Sequence, residues 1–363
     1  LKVLHIVTLY ILLMLACPAP ILAEAFDEDA WRRAVANQSI EKLYAPHYQD
    51  GKYFNPWMPM PDKTFGRFLK WRFSKSAPYT DEEKKYKAAV IPGLKERILG
   101  LHRDKDFITW IGHATFLIRL RGQYWLTDPM FSDRALLPKR ISPPAMPVED
   151  LKALNGPISV LISHSHYDHL DVDSIKALPH RTRIYVPPGL KAYIKTFFSG
   201  EVREIDWWEN VEFTGGFKLV SLPAQHWSRR FRQPTDSTLW ASYLLASPDV
   251  QIYFGGDSGY FVGYREFGRR FPGIDYALMP VTAYDPRWFM HYNHMNAPEA
   301  LQAFADLGAR VFIPTQWGAF HLGDNPSGKP ALDLLRLQRS RNLDPARHPI
   351  FAIGELMVLR SAF

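Results

Sequence analysis

Ile158-Ser159-Val160-Leu161-Ile162-Ser163-His164-Ser165-His166-Tyr167-Asp168-His169-Leu170-Asp171 is the stretch on which the fold turns. Its first six residues have the length and apolar character of a strand buried inside a sheet. Three histidines and an aspartate then follow within six positions. On an extended strand end, residues i and i+2 point the same way, so His164 and His166 can grip one ion. As the chain bends toward a helix, Asp168 and His169 turn to a second ion beside the first. Imidazole and carboxylate are the ligands expected of zinc, with iron or manganese also tolerated. A solvated surface loop has no need of so dense a ligand set.

Such a run needs partners, and two candidates follow later strands. Gln225-His226-Trp227 comes after Phe217 to Leu222, and Gly255-Gly256-Asp257-Ser258-Gly259 after Ile252-Tyr253-Phe254. A lone histidine after a strand is commonly a core residue, and an aspartate among glycines commonly makes an Asx-turn. The ligand run upstream reverses both readings. Glycines around Asp257 allow the sharp turn that brings one carboxylate between two ions.

Outward from these runs the chain reads as one α/β domain over 107–363, with an N-terminal extension over 26–106. Strands are expected at 107–111, 115–120, 124–127, 158–163, 183–186, 217–222, 239–246, 251–255, 276–280 and 310–314. Helices are expected at 172–178, 190–198, 297–307 and 331–341. Antiparallel blocks alternating with strand–helix units indicate two sheets covered by helices. In the extension, Phe54-Asn55-Pro56-Trp57-Met58-Pro59-Met60-Pro61 reads as an extended arm, because its prolines deny helix and central strand alike.

Composition narrows the classes. The chain has 363 residues, 47% of them hydrophobic, which excludes wholesale disorder. One cysteine excludes a disulfide framework or a cysteine-based zinc knuckle. A formal charge of +7 is mild for this length, favouring anionic partners such as phosphates or phospholipid surfaces without arguing for nucleic acid. Lys2, the apolar run from Val3 to Ala16 and the small residues up to Ala25 read as a signal peptide over 1–25. That predicts export to the periplasm or outer surface, with lipid anchoring through Cys17 as the alternative.

The sequence resembles the metallo-β-lactamase fold superfamily, in its N-acyl-phosphatidylethanolamine-hydrolysing phospholipase D branch. The resemblance spans about Tyr53 to Leu322. It rests on Trp110-Ile111-Gly112-His113-Ala114-Thr115, Leu126-Thr127-Asp128-Pro129-Met130-Phe131-Ser132, the His164 to Asp171 run, Asp206-Trp207-Trp208-Glu209, Gln225-His226-Trp227, Gly256-Asp257-Ser258-Gly259-Tyr260, Ala283-Tyr284-Asp285-Pro286-Arg287-Trp288-Phe289-Met290 and Trp317-Gly318-Ala319-Phe320. It implies a four-layer αββα sandwich and a pair of zinc ions. His164, His166 and His226 would bind one, Asp168 and His169 the second, and Asp257 would bridge. Asp128 and His113 would stand behind the ligands and orient them. The family's last ligand is a histidine just before the Trp-Gly pair. Here that position is Gln316, whose carbonyl oxygen is a weaker donor, so the second site is expected to be weak unless His321 replaces it.

The same resemblance implies a phosphodiesterase that hydrolyses a phospholipid such as N-acyl-phosphatidylethanolamine by attack of a metal-activated hydroxide. Paired ions suit such an in-line displacement. Asp257, Asp168 and His294 would be catalytic, and Tyr167, Arg287, Trp288 and His294 would contact substrate. A lactonase or amidase of the same superfamily is the rival enzyme, and a degenerate metal- or lipid-binding protein the rival non-enzyme. Tyr53 to Phe73 mixes aromatic and basic residues, which suits a membrane interface or an arm packed over the sheet. Nothing supplies a nucleic-acid platform.

Overall fold

The computed structural model describes residues 26–61, 64–74 and 78–359. The signal-peptide expectation for residues 1–25, Cys17 included, falls outside them. The described part begins with helix α1 (Glu28–Ala36), a short hairpin of β1 (Tyr48–Gln49) and β2 (Lys52–Tyr53), and helices α2 (Phe65–Phe73), α3 (Asp81–Lys85) and α4 (Leu94–Gly100). Next come β3 (Phe107–Gly112), β4 (Thr115–Leu120), β5 (Gln123–Thr127), β6 (Ile158–Leu161), α5 (Val172–Ala177), β7 (Arg183–Val186), α6 (Lys191–Ile194) and β8 (Glu201–Glu204). The second half holds β9 (Asn210–Phe213), β10 (Phe217–Leu222), β11 (Ser242–Ala246), β12 (Gln251–Phe254), α7 (Gly263–Arg270), β13 (Tyr276–Pro280), α8 (Arg287–Met290), α9 (Ala297–Leu307), β14 (Val311–Thr315), α10 (Lys329–Ser340) and β15 (Leu356–Val358).

Among the described residues, besides the β1-β2 hairpin, there are two sheets, one of seven strands in the order β15-β3-β4-β5-β6-β7-β8 and one of six in the order β14-β13-β12-β11-β10-β9. Both are antiparallel at one end and parallel at the other. Period-two alternation makes the layers. Ile108, Trp110, Phe116, Ile118 and Trp125 enter the core that also takes Leu219, Tyr243, Phe254 and Leu278 of the facing sheet. Their neighbours Phe107, Ile111, Leu117 and Leu126 face the opposite way, into a second core with Ile175, Leu190 and Ile194. With helices outside each sheet, this is the four-layer αββα sandwich.

Several boundaries differ from the expectations. The strand expected at 239–246 begins at Ser242, because the backbone N–H groups of Leu239 and Ala241 donate across to Pro188 and Ser163 of the other half. The helix expected at 190–198 is one turn, Lys191–Ile194. Strands β8 and β9 carry one fully buried apolar residue each, Val202 and Val211, and so lack the alternation that marks a half-buried strand. Helix α9 follows its local code: Asn296 and Glu299 form a reciprocal capping box, and Gly308 ends the helix at φ 62°.

The extension lies over the domain. The Trp31 indole donates to Glu299 at 2.8 Å, Trp57 donates to Gln225 at 2.9 Å, and the Trp208 indole donates to the Leu43 carbonyl at 2.8 Å. Trp57 is buried, which is the packed-arm behaviour, whereas Phe68, Leu69 and Phe73 of α2 are exposed.

Candidate metal centre

Each strand that feeds the site releases its residue just past its C-terminal end, where pleated pairing stops and side chains from both sheets can converge. From one sheet come His113 after β3, Asp128 after β5 and the His164 run after β6; from the other come His226 after β10, Asp257 after β12 and Gln316 after β14. Asp171 closes the ligand run by accepting the Ser174 N–H at 3.2 Å, which caps α5. Buried Arg230 ties the run down, donating to the carbonyls of Ser165 at 2.7 Å and Leu170 at 2.9 Å.

Two groups of donor atoms converge. In the first, His164 Nε2 lies 2.8 Å and His226 Nε2 3.2 Å from His166 Nδ1, and both face Asp257 Oδ2, at 3.8 and 3.5 Å. The second group comprises His113, Asp168 and His169. There His113 Nε2 and His169 Nε2 lie 3.1 and 3.3 Å from Asp168 Oδ2, and His169 Nε2 is 3.1 Å from Asp257 Oδ1. Asp257 therefore offers one oxygen to each group.

The hydrogen bonds behind these atoms decide which nitrogens carry protons. The Ser163 backbone and hydroxyl donate to Asp128 at 2.7 and 2.6 Å, so Ser163 Oγ is left to accept from His164 Nδ1 at 2.9 Å. His169 Nδ1 donates to Asp128 Oδ2 at 2.6 Å, and His226 Nδ1 to the Asn293 carbonyl at 3.2 Å. Each outer nitrogen thus keeps its proton; the inner nitrogens of His164 and His226 point at His166 Nδ1, while His169 Nε2 faces Asp168 and Asp257, which, against its burial, hold that ring's pKa well above the ordinary range. Burial, with His169, His166 and His226 close by, holds the His164 imidazole well below its ordinary range, so it stays neutral. Facing lone pairs and carboxylates in a buried pocket repel unless a cation sits among them. The residues fit a divalent metal ion.

The other sequence-expected residues divide. His294 lines the cleft, its Nδ1 3.9 Å from Asp257 Oδ2. Tyr167 lines it too, accepting the Phe231 N–H at 2.9 Å with the Arg230 guanidinium 4.1 Å from its ring centre. Arg287 is not brought to the cleft: it donates to Glu28 at 2.8 Å and Glu299 at 2.6 Å. Trp288 is buried below Arg67 and Lys70, again off the cleft. Both belong to the seam between extension and domain, because burial of Glu299 demands a cation beside it. Gln316 turns its amide nitrogen inward, donating to Asp257 Oδ1 at 2.5 Å and to the Gly256 carbonyl at 2.9 Å. His321 is exposed and lies in neither donor group.

The support beneath His226 was not expected from the sequence. Asn55 donates to the His226 carbonyl at 3.0 Å, and Gln38 and Trp57 both donate to the neighbouring Gln225. No motif marks these residues; only the proline-rich context of Asn55 hinted at a fixed arm.

The cleft above the site has a volume of about 800 Å³. Asp168, Asp257, His166 and His294 form its polar floor, and Leu136, Leu137, Phe231, Phe289, Met290 and Leu322 its apolar walls, with Arg229 and Arg232 alongside.

A family model described as a beta-lactamase superfamily domain matches residues 124–317. N-acyl-phosphatidylethanolamine-hydrolyzing phospholipase D 1 of Caenorhabditis elegans is 33% identical over 296 residues, 76% of this chain and 82% of that protein. A Mycobacterium tuberculosis protein described as uncharacterized is 34% identical over 322 residues, 84% of this chain and 81% of its own. Among solved structures, Igni18, a metallo hydrolase of Ignicoccus hospitalis, shares the fold with a TM-score of 0.54 at 18% identity, over 70% of this chain and 99% of that one.

Proposed function

The chain belongs to the metallo-β-lactamase superfamily, in the branch of the N-acyl-phosphatidylethanolamine-hydrolysing phospholipases D, and is a metal-dependent hydrolase; from that membership we propose that it is a zinc phosphodiesterase acting on an N-acyl-phosphatidylethanolamine or a closely similar phospholipid. The products would be a phosphatidate and an N-acylethanolamine. The observation that carries the substrate class is the polarity of the cleft, whose carboxylate and imidazole floor lies under apolar walls flanked by arginines. A phosphodiester with acyl chains has the same polarity from head to tail.

Bound zinc ions would acidify the attacking water and offset charge on the phosphoryl oxygens. The chain's own part is to hold and orient. His164, His166 and His226 present one donor group, Asp168 and His169 lie in the other, and Asp257 faces both. Asp128 fixes the ring of His169 and, through Ser163, that of His164. His294, on the floor beside Asp257, is placed to hydrogen-bond a phosphoryl oxygen. Tyr167, braced by Arg230, shapes the wall next to the ligand run.

Leu136, Leu137 and Phe231 are 58%, 78% and 81% exposed at the cleft mouth. Among the described residues no helix is long and apolar enough to cross a membrane. Exposed apolar tips among Arg134, Arg229 and Arg232 support a peripheral contact with an anionic lipid surface, from which substrate enters the cleft. The leader-like run over residues 2–25 supports export of the chain.

The test is release of N-acylethanolamine from vesicles containing N-acyl-phosphatidylethanolamine, set against hydrolysis of a lactone and an amide. Chelator should abolish release and added zinc restore it. Lactone or amide turnover without phosphodiester cleavage would overturn the substrate class. Full activity in metal-free protein would overturn the metal-dependent chemistry as well.

A further inference from the structure

We propose that His113, and not Gln316, supplies the last imidazole of the second metal site, so that His113, Asp168, His169 and Asp257 together hold that ion. This deepens the two-metal reading above and rests on it. His113 is fully buried at the turn between β3 and β4. Its Nδ1 faces the Gln316 carbonyl at 3.3 Å, and a carbonyl can only accept, so the proton sits on Nδ1. Nε2 is then the nitrogen left to face the Asp168 carboxylate, 3.1 Å from Oδ2, where a bound ion would take the place of the proton shared between them. His169 repeats the pattern, with its Nδ1 proton given to Asp128 and its Nε2 turned to the same Asp168 oxygen at 3.3 Å. An imidazole whose outer N–H is held by a carbonyl or carboxylate, with the inner nitrogen aimed at anionic oxygens, is arranged as metal-binding histidines are.

The backbone supports the same placement. His113 has φ 54°, a left-handed conformation uncommon for residues other than glycine. Its carbonyl accepts from the Trp110 indole at 2.8 Å and from the Gln316 N–H at 3.0 Å. The end of β14 is thereby sewn to the β3–β4 turn, and the ring of His113 lies beside Asp168, next to the position where a side chain at 316 was expected to reach. Gln316 has another task. Because the Gly256 carbonyl only accepts, the Gln316 amide must turn its nitrogen there, and it braces Asp257 with that same nitrogen. It is a positioning residue for the bridging carboxylate.

Zinc uptake measured by equilibrium dialysis, with cobalt titration followed by visible absorption, tests the proposal without relying on activity. Wild type should take up two ions per chain. His113→Ala should hold one, with second-ion affinity down by more than about 100-fold, beyond the roughly 10–100-fold expected when a residue merely braces a ligand. The ion retained at the His164 group reports that this variant is folded. Gln316→Ala should still take up two ions, the second more weakly but within that bracing range. A zinc-soaked wild-type crystal gives the answer with no substitution: the second anomalous peak should lie about 2.0–2.1 Å from His113 Nε2. A peak bound through Gln316, or two ions retained with unchanged affinity in His113→Ala, would overturn the assignment. One ion only in wild type, at the His164 group, would overturn it while leaving a metal-dependent hydrolase. No ion at all would remove the metal reading itself.

Discussion

Asp257 shows how much one side chain decides. Its carboxylate is buried, with Oδ2 toward His164 and His226 and Oδ1 toward His169. Burial alone would raise its pKa, but His169, by its charge and hydrogen bond, holds it well below the usual carboxylate range, so it is anionic at neutral pH. Asp257→Asn keeps the shape and removes the charge. The expected outcome is a fall in kcat of about 100-fold or more, the size found when a preorganised electrostatic group is lost, with KM changed far less. Steady-state kinetics on mixed-micelle substrate decides it, and near-normal kcat would exclude a bridging role. At this scale the sequence already carried much: the density of ligands around His164 and the glycines around Asp257 are local features. What it could not carry was the aim of each side chain. Arg287 looked like a phosphate contact by type, yet its guanidinium is taken by Glu28 and Glu299, residues 259 and 12 positions away.

Among the elements, the N-terminal arm matters most. Asn55 is fully used: its amide donates to the His226 carbonyl and the Tyr292 hydroxyl, each at 3.0 Å, and its oxygen accepts from the Trp240 indole at 3.0 Å. Removing a buried group of this kind leaves its partners unsatisfied at a cost of about 1–3 kcal/mol each. Asn55→Ala should lower the thermal midpoint by several degrees. It should also weaken the ion bound by His226, because the loop presenting that ring loses its anchor. Melting curves with and without zinc separate the two effects: the stabilisation that zinc confers should be smaller in Asn55→Ala than in wild type. An equal zinc-induced shift would show that the arm braces the fold and not the site. The central strands were readable because apolar runs such as Phe116 to Leu120 are nearly continuous and buried on both faces. Strands β8, β9 and β15 were not, because these edge strands bury at most one residue each and so carry no long apolar run.

The whole molecule sets a charged centre at the bottom of a cleft whose mouth carries apolar tips. If Leu137 and Phe231 dock at a lipid surface, the double variant Leu137→Ser, Phe231→Ser should lose about tenfold or more of its turnover on vesicles while keeping turnover of a soluble short-chain phosphodiester. Burying two such side chains is worth roughly 3–6 kcal/mol in full and less at an interface. Sedimentation with vesicles checks the binding directly, and unchanged co-sedimentation would remove the docking role from these tips. Taken by itself, the sequence determined the alternation that makes two helix-covered sheets and the clustering of imidazole and carboxylate just after a buried strand. These are short-range properties, set by which residues are neighbours along the chain. Tertiary structure alone decided that His113 meets a residue 203 positions away, that Gln316 faces Asp257 with its nitrogen, and that Asn55 holds a loop 171 positions downstream. Such partners are chosen by strand order and by the need to satisfy every buried donor and acceptor, and that accounting closes only once both sheets are packed.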